Sequence, residues 1–354
     1  LRAGEELLVS FTKKLGDYLR RGIKLFKRHN LLFDINTLAY AYKRNNWMFD
    51  LTRYINDYEE VEIDRPIFLL GTQGAGLTLV ARMLRRNKEV VSVTGNYNYW
   101  AGADEMNSVL GPILPEEFKS IEHRKPYPEQ IKVAQDWLCG IDKYVDMYRN
   151  TEAEVTEEIK TKVRKILRWT IARHKIGQKG RFIDKSQTFT LKVAFINKIL
   201  EDCCPKFILI PRNPYASCYR EAKGDTYSEE CFTYKYSFKE KLEFACQHWS
   251  NYMRYALEDS EKVDDFMTIN FETILRKPKS SLREICEFAD LEFKEDMLPA
   301  PEDEIPFGCK RRNRWYPLKS EVNQKYLKEM NQEHIELIDS YCGEYAEKFG
   351  YNFP

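Results

Sequence analysis

No stretch of this chain approaches the roughly 18 consecutive apolar residues that a membrane-spanning helix needs. Charge of one sign is missing too: 56 Lys and Arg stand against 55 Asp and Glu, leaving a formal charge of +1. A chain this close to neutral has no global field to draw in nucleic acid, so any such affinity must be local. Histidine is scarce at five residues, and no His/Asp/Glu cluster offers a divalent metal a site. The nine cysteines, at 139, 203, 204, 218, 231, 246, 286, 309 and 342, are odd in number and show no C-x-x-C or zinc-like spacing. That usage points to free thiols in a reducing cytosol rather than a disulfide framework. Internal repeats and low-complexity segments are absent. The chain begins at Leu1 and not at Met, which leaves open a leader or anchor ahead of it.

What is present is a 354-residue chain, 43% apolar and 14% aromatic, enough for one large α/β domain or two small ones. Residues 5–28 read as an amphipathic helix: Leu7, Leu8, Phe11, Leu15, Tyr18, Leu19, Ile23 and Phe26 recur at helical spacing, with basic residues on the other faces. Such a helix suits docking on its own domain or self-association, and a peripheral membrane contact is the alternative. Residues 31–60 read as helical as well, so 1–64 form a helical extension ahead of an α/β domain over 65–354. From Pro66 the pattern changes to strand–turn–helix units. Strands are expected at Ile67–Leu70, Arg181–Asp184, Lys206–Ile210 and Phe266–Phe271. Helices are expected at Leu77–Arg86, 151–174, Leu191–Leu200, 238–259 and 279–289. Strands alternating with helices imply a central parallel sheet flanked by helices. The irregular segments 95–150 and 300–320 are expected to supply substrate and cofactor loops.

The most informative segment runs Arg65-Pro-Ile-Phe-Leu-Leu-Gly71-Thr72-Gln73-Gly74-Ala75-Gly76-Leu77-Thr78. It is a short apolar strand, a glycine-rich loop and a helix start, an arrangement that aims backbone N–H groups at a phosphate. It nearly fits the P-loop G-x-x-x-x-G-K-[ST], but Leu77 stands where the lysine would reach the β- and γ-phosphates of ATP. A phosphate cradle without that lysine suits a different nucleotide. A second signal is Phe207-Ile-Leu-Ile210-Pro211-Arg212-Asn213-Pro214, which places an arginine at the carboxyl end of a parallel strand, where open α/β sheets bind ligands. Its guanidinium suits a second phosphate. Ser217 and Arg220 follow on the next helical turns and share the same surroundings.

Together these segments resemble the sulfotransferases that use 3′-phosphoadenosine 5′-phosphosulfate (PAPS). Gly71–Leu79 resembles the P-R/K-S-G-T-T-L loop for the 5′-phosphosulfate, and Lys206–Pro214 resembles the strand ending in R-[DN]-P that binds the 3′-phosphate. Asp184-Lys185-Ser186 resembles the D/E-K-S-P segment. Met267–Pro278, continuing to Leu291, resembles Y-E-x-L-x-x-x-P…F-L-G-L, and Phe349-Gly350-Tyr351 resembles the C-terminal F/L-G-Y. The resemblance spans about 65 to 351 and implies a P-loop-type sulfotransferase fold. By that resemblance the donor is PAPS, the product is 3′-phosphoadenosine 5′-phosphate (PAP), and no metal is required. Gly71 through Thr78, Arg212, Ser217 and Arg220 would bind the nucleotide, joined by Lys310, Arg311 or Arg312 from a late basic loop. Lys185 would stabilise the charge of the leaving group.

Two candidates stand for the base that takes the acceptor proton: Glu105, beside Asp104 in the segment where relatives place acceptor contacts, and His248 on an apolar helix. Tyr97, Tyr99 and Trp100 would stack on the acceptor, a small metabolite or a carbohydrate. His123 and His174 read as surface residues. The chain also departs from the family pattern. Gly74 replaces the usual basic residue of the first loop, Arg220 replaces a serine, and Gln187 replaces a proline. Two other functions compete: a P-loop kinase or NTPase, and a non-catalytic module that keeps the fold and binds PAP without turnover.

Overall fold

The computed structural model describes residues 42, 45–51, 58, 60–95, 104–120, 139–174, 180–224, 236–300, 304–307, 310–314 and 318–353, the two segments 304–307 and 310–314 by their backbone alone. The chain divides into two compact units, Leu1–Ile55 and Asn56–Pro354. In the first, a 3-10 turn at Asn46–Phe49 carries buried Trp47, and Tyr42 stacks on Phe49 at 6.5 Å. The helix expected over 5–28 and most of 31–60 lie outside the described residues.

The second unit is built on a five-stranded sheet of order β2-β3-β1-β4-β5. Its strands are β1 (Ile67–Leu70), β2 (Val90–Val91), β3 (Arg181–Asp184), β4 (Lys206–Leu209) and β5 (Phe266–Thr268), all paired in parallel. The helices are α1 (Leu77–Leu84), α2 (Glu157–His174), α3 (Val193–Leu200), α4 (Pro214–Ala222), α5 (Phe238–Ser260), α6 (Phe271–Arg276), α7 (Pro278–Phe288), α8 (Gln324–Glu329) and α9 (Gln332–Lys348), with single helical turns at Met106–Val109 and Val145–Tyr148. Among the described residues no helix is long and apolar enough to cross a membrane.

β1 is buried along its whole length because both faces of a parallel sheet are covered. Successive side chains point to opposite faces, and the two faces carry different chemistry. Ile67 and Leu69 join Ile183, Ile208 and Ile210 in an aliphatic core with Leu79, Val80 and Met83 of α1 and Ile274, Leu282 and Ile285 of α6 and α7. Phe68 points the other way, stacks on Phe207 at 5.5 Å and packs near Phe182 and Phe189, both at 6.3 Å. Registers of Ile67 opposite Ile183 and Phe68 opposite Phe207 keep the two sets apart. Each fully buried side chain of this kind contributes about 1.5–3 kcal/mol.

Several sequence expectations shift. The strand expected over Phe266–Phe271 stops at Thr268. Phe271 instead opens α6, because its backbone N–H turns to Pro211 O at 2.9 Å. Val90–Val91 is a strand that the sequence reading did not include, and an antiparallel hairpin joins β6 (Glu304–Phe307) to β7 (Lys310–Arg314) where a loop was expected. The charged helix starts at Glu157 rather than 151, behind a 3-10 turn at Glu152–Glu154. None of the seven described cysteines is in a disulfide. Cys218, Cys246 and Cys342 are buried with their sulfurs within 4.8 Å of one another. Burial raises all three thiols far above the usual range, so they sit in the core protonated.

Candidate functional site

The strand order fixes the site. β1 lies at the centre, with β3 on one side and β4 on the other, and the chain switches direction between β1 and β4. The carboxyl ends of these three strands therefore deliver the Gly71–Thr78 loop, Lys185 and Arg212 to one edge of the sheet, where open α/β folds bind ligands.

The loop leaves β1 at Gly71, whose N–H donates to Thr190 Oγ1 at 2.8 Å. Gly74 and Gly76 have φ of 77° and 88°, a region that side-chain-bearing residues rarely enter. A Cβ on Gly76 would lie 2.3 Å from the Phe271 ring, so glycine there lets α6 close on the loop. α1 begins at Leu77, and the amides of its first turn have no intrahelical acceptors. Two hydroxyls at this edge, Thr72 Oγ1 and Ser217 Oγ, are buried without a hydrogen-bond partner, although their residues are only 2% and 3% exposed. Buried polar atoms are ordinarily paired, so these two fit an anion seated on the loop. Ala75 and Leu77 are buried in the same turn, and Thr78 is 8% exposed. Gln73 is half-buried.

Arg212, 2% exposed, extends from β4. Its Nη1 donates to Gly74 O at 2.7 Å, Nε and Nη2 donate to Asn323 Oδ1 at 3.0 and 2.6 Å, and its guanidinium lies 5.0 Å from the Phe271 ring centre. Asn323 Nδ2 donates in turn to Glu272 Oε1 at 2.5 Å. That same oxygen accepts Asn213 N–H at 3.1 Å. The Tyr351 hydroxyl lies 2.5 Å from Glu272 Oε2 and 3.1 Å from Pro211 O. Arg212, Asn323, Glu272 and Tyr351 thus form one polar chain that joins the R-N-P, Phe271-Glu272 and Phe349-Gly350-Tyr351 segments. Burial, and then the neighbouring Arg220, push the Arg212 guanidinium down to about 9. A bound anion would favour the charged guanidinium against that burial.

On the other side of the loop, Lys185 Nζ lies 2.9 Å from Asp104 Oδ1 and 3.0 Å from Glu105 Oε1. Arg85 Nη1 holds the other Asp104 oxygen at 2.9 Å, and Nη2 donates to Gly95 O at 2.6 Å. All four side chains are at most 4% exposed. Burial alone would raise the Asp104 carboxyl, but Lys185, Arg85 and Arg82 outweigh it and hold it below the usual range. Burial opposes the charge on Lys185, and the two carboxylates more than restore it, so its ammonium is retained well above its ordinary pKa. The flanking residues of the same segment clamp this turn. Asp184 accepts Met106 N–H at 2.7 Å and Ser186 N–H at 2.6 Å, while Ser186 Oγ accepts Asn107 N–H at 3.2 Å. Burial raises Asp184 to about 6.

The structure therefore brings Lys185, Asp104 and Glu105 together. His248 stands in another environment: it is fully buried on α5, its ring 4.2 Å from that of Tyr252, with Gly140 so close that a Cβ there would lie 2.6 Å from Nδ1. His174, expected at the surface, is half-buried against Gly95. Tyr97, Tyr99, Trp100 and His123 lie outside the described residues. Lys310, Arg311 and Arg312 are described only as backbone of β7. Sequence reasoning missed Arg85, Thr190 and Asn323. No spacing marks them, because each acts through a contact to a distant segment.

No curated protein matches the chain. Among solved structures it is similar to a sulfotransferase domain from the curacin biosynthetic pathway, with 16% identity over 83% of this chain and 100% of that one, at a TM-score of 0.52. A sulfotransferase domain from the Synechococcus PCC 7002 olefin synthase gives 17% identity, 84% and 98% coverage and a TM-score of 0.51. Sulfotransferase STF1 from Mycobacterium tuberculosis H37Rv gives 13%, 83% and 90%, and 0.50. Such identities speak for the fold. The family itself comes from the sequence: the sulfotransferase family matches residues 66–295, a span that runs from β1 to α7 and beyond, and the chain belongs to that family, whose reaction is sulfuryl transfer.

Proposed function

We propose that the chain transfers a sulfuryl group from PAPS to a hydroxyl or amine of a small metabolite or carbohydrate, releasing PAP. The observation that carries this reading is the pair of unpartnered buried hydroxyls, Thr72 Oγ1 and Ser217 Oγ, flanking a glycine loop between Lys185 and Arg212. The amides at Gly76–Thr78 suit the 5′-phosphate end of the nucleotide, and Arg212 with Ser217 suits the 3′-phosphate. Lys310, Arg311 or Arg312 is proposed to reach the 3′-phosphate from the late basic segment, which would also keep water from the donor.

In the reaction the acceptor oxygen or nitrogen bonds to sulfur while the bond from sulfur to the 5′-phosphate oxygen breaks. The bonding pair leaves with PAP. The residues supply alignment and charge, as in phosphoryl transfer. Lys185, held protonated by two carboxylates, acts as a fixed cation for the leaving group. Glu105, in contact with Lys185, takes the acceptor proton, and its neighbour Asp104 orients both. His248 is a packing residue in this reading, set on the buried face of α5 against Gly140 and Tyr252. Tyr97, Tyr99 and Trp100 contact the acceptor.

Isothermal titration with PAP tests the donor assignment. Saturable binding at micromolar concentration is expected, and no heat at millimolar PAP would remove it. Binding of PAP without formation of any product carrying an added SO3 unit, across hydroxyl and amine acceptors, would favour the non-catalytic module instead.

A further inference from the structure

The first loop lacks the basic side chain that its sequence pattern leads one to expect, because position 74 is glycine. The structure shows what occupies the space. A Cβ built on Gly74 would lie 2.6 Å from Arg220 Nη1 and 3.3 Å from both Cζ and Nη2 of the same guanidinium. No other heavy atom is as close. A side chain at 74 and the Arg220 guanidinium therefore exclude one another.

Arg220 reaches this point from the last turn of α4, two turns past Arg212. It is half-buried, and its side chain makes no hydrogen bond or ion pair among the described residues. Its charge is nevertheless felt locally, since it lowers both Arg212 and the adjacent Glu221. Ser217, with its unpartnered hydroxyl, lies one helical turn earlier on the same face. A long cation that ends on the glycine of a phosphate loop, with no acidic partner, is poorly explained by folding alone. Stability would be served better by a neutral residue or an ion pair.

We infer that Arg220 supplies the missing cation of the donor loop: the positive charge has moved from position 74 to α4, and Gly74 is glycine so that the guanidinium can enter. This inference rests on the PAPS reading and sharpens it. It assigns Arg220 to the 5′-phosphosulfate side of the donor, where the sequence alone had set it beside the 3′-phosphate. The planar fork of arginine can hold two oxygens of that group at once, which a lysine in the loop could not.

A double-mutant cycle read by PAP titration tests it. R220A should weaken PAP binding about tenfold or more, the usual value of a charge-assisted contact to phosphate. R220K, which keeps the charge and loses the fork, should recover only part of that loss. G74A, whose methyl group displaces the guanidinium, should weaken binding about tenfold in the wild-type background and less than about threefold in the R220A background. Any backbone strain from alanine at positive φ enters both backgrounds alike and cancels in the cycle; melting temperatures confirm that each variant is folded. The inference is overturned if R220A binds PAP within about twofold of wild type, or if the G74A and R220A losses simply add. Failure of wild type to bind PAP at all would sink the donor reading with it, so the two failures are distinguishable.

Discussion

At the scale of single residues, the informative positions are those where an expected side chain is missing. Leu77 occupies the P-loop lysine position and is buried in the aliphatic core, so the loop has no amine for a γ-phosphate. The family match removes the kinase alternative on independent grounds. Lys185 and Glu105 were legible as separate candidates, but nothing in the sequence linked residues 80 positions apart. Their contact now predicts an asymmetry between the two candidate bases. E105Q should lower turnover more than tenfold at saturating PAPS while leaving PAP affinity within about threefold. H248A should chiefly lower the melting temperature, because it empties a buried site. Comparable losses of turnover in both variants, or in neither, would undo the assignment of Glu105.

Glu221 gives a pH test at the same scale. Burial raises its carboxyl from 4.5 to about 8, against the opposing pull of Arg220 and Arg212. A raised carboxyl favours the folded state while it stays protonated, so wild type loses this contribution as pH rises from 4.5 towards 8. E221Q does not titrate. Its melting temperature should therefore gain on wild type steadily between those limits, and a gap independent of pH would contradict the shift.

At the scale of elements, two short strands were readable to the residue: the apolar run Ile67–Leu70 and Arg181–Asp184, whose apolar pair Phe182-Ile183 is flanked by charges, stand as expected. Val90–Val91 was not, because two residues carry no period. The hairpin at 304–314 was hidden by its charged sequence, Lys310-Arg-Arg-Asn-Arg314, which lacks the apolar alternation of a packed strand. Phe271 illustrates a tertiary override. Its apolar text continues β5, yet its N–H and ring are claimed by Pro211 O and the Gly76 loop. The C-terminal Phe349-Gly350-Tyr351 was recognisable only as a pattern; the structure gives it a reason, since Tyr351 anchors the Glu272 that holds Asn323 and thereby Arg212. Y351F should cost roughly 1–2 kcal/mol of stability and weaken PAP binding severalfold. Unchanged PAP affinity in a clearly destabilised variant would show that this chain of contacts supports the fold and not the site.

At the scale of the whole molecule, near-zero net charge left the class of ligand to local features, and the strand order explains how those features converge. Inserting β3 between β2 and β1, with β4 on the opposite side, brings segments about 110 and 140 residues downstream to the edges of one loop. Motif order in the sequence was enough to name the family, but not to say which cations face which end of the donor, because that depends on side chains crossing between elements. The most direct test is a crystal structure with PAP bound. The 5′-phosphate is expected on the amides following Gly74 with the Arg220 guanidinium in contact, and the 3′-phosphate against Arg212 and Ser217. PAP bound away from the β1 loop, or a 5′-phosphate that Arg220 does not touch, would contradict it.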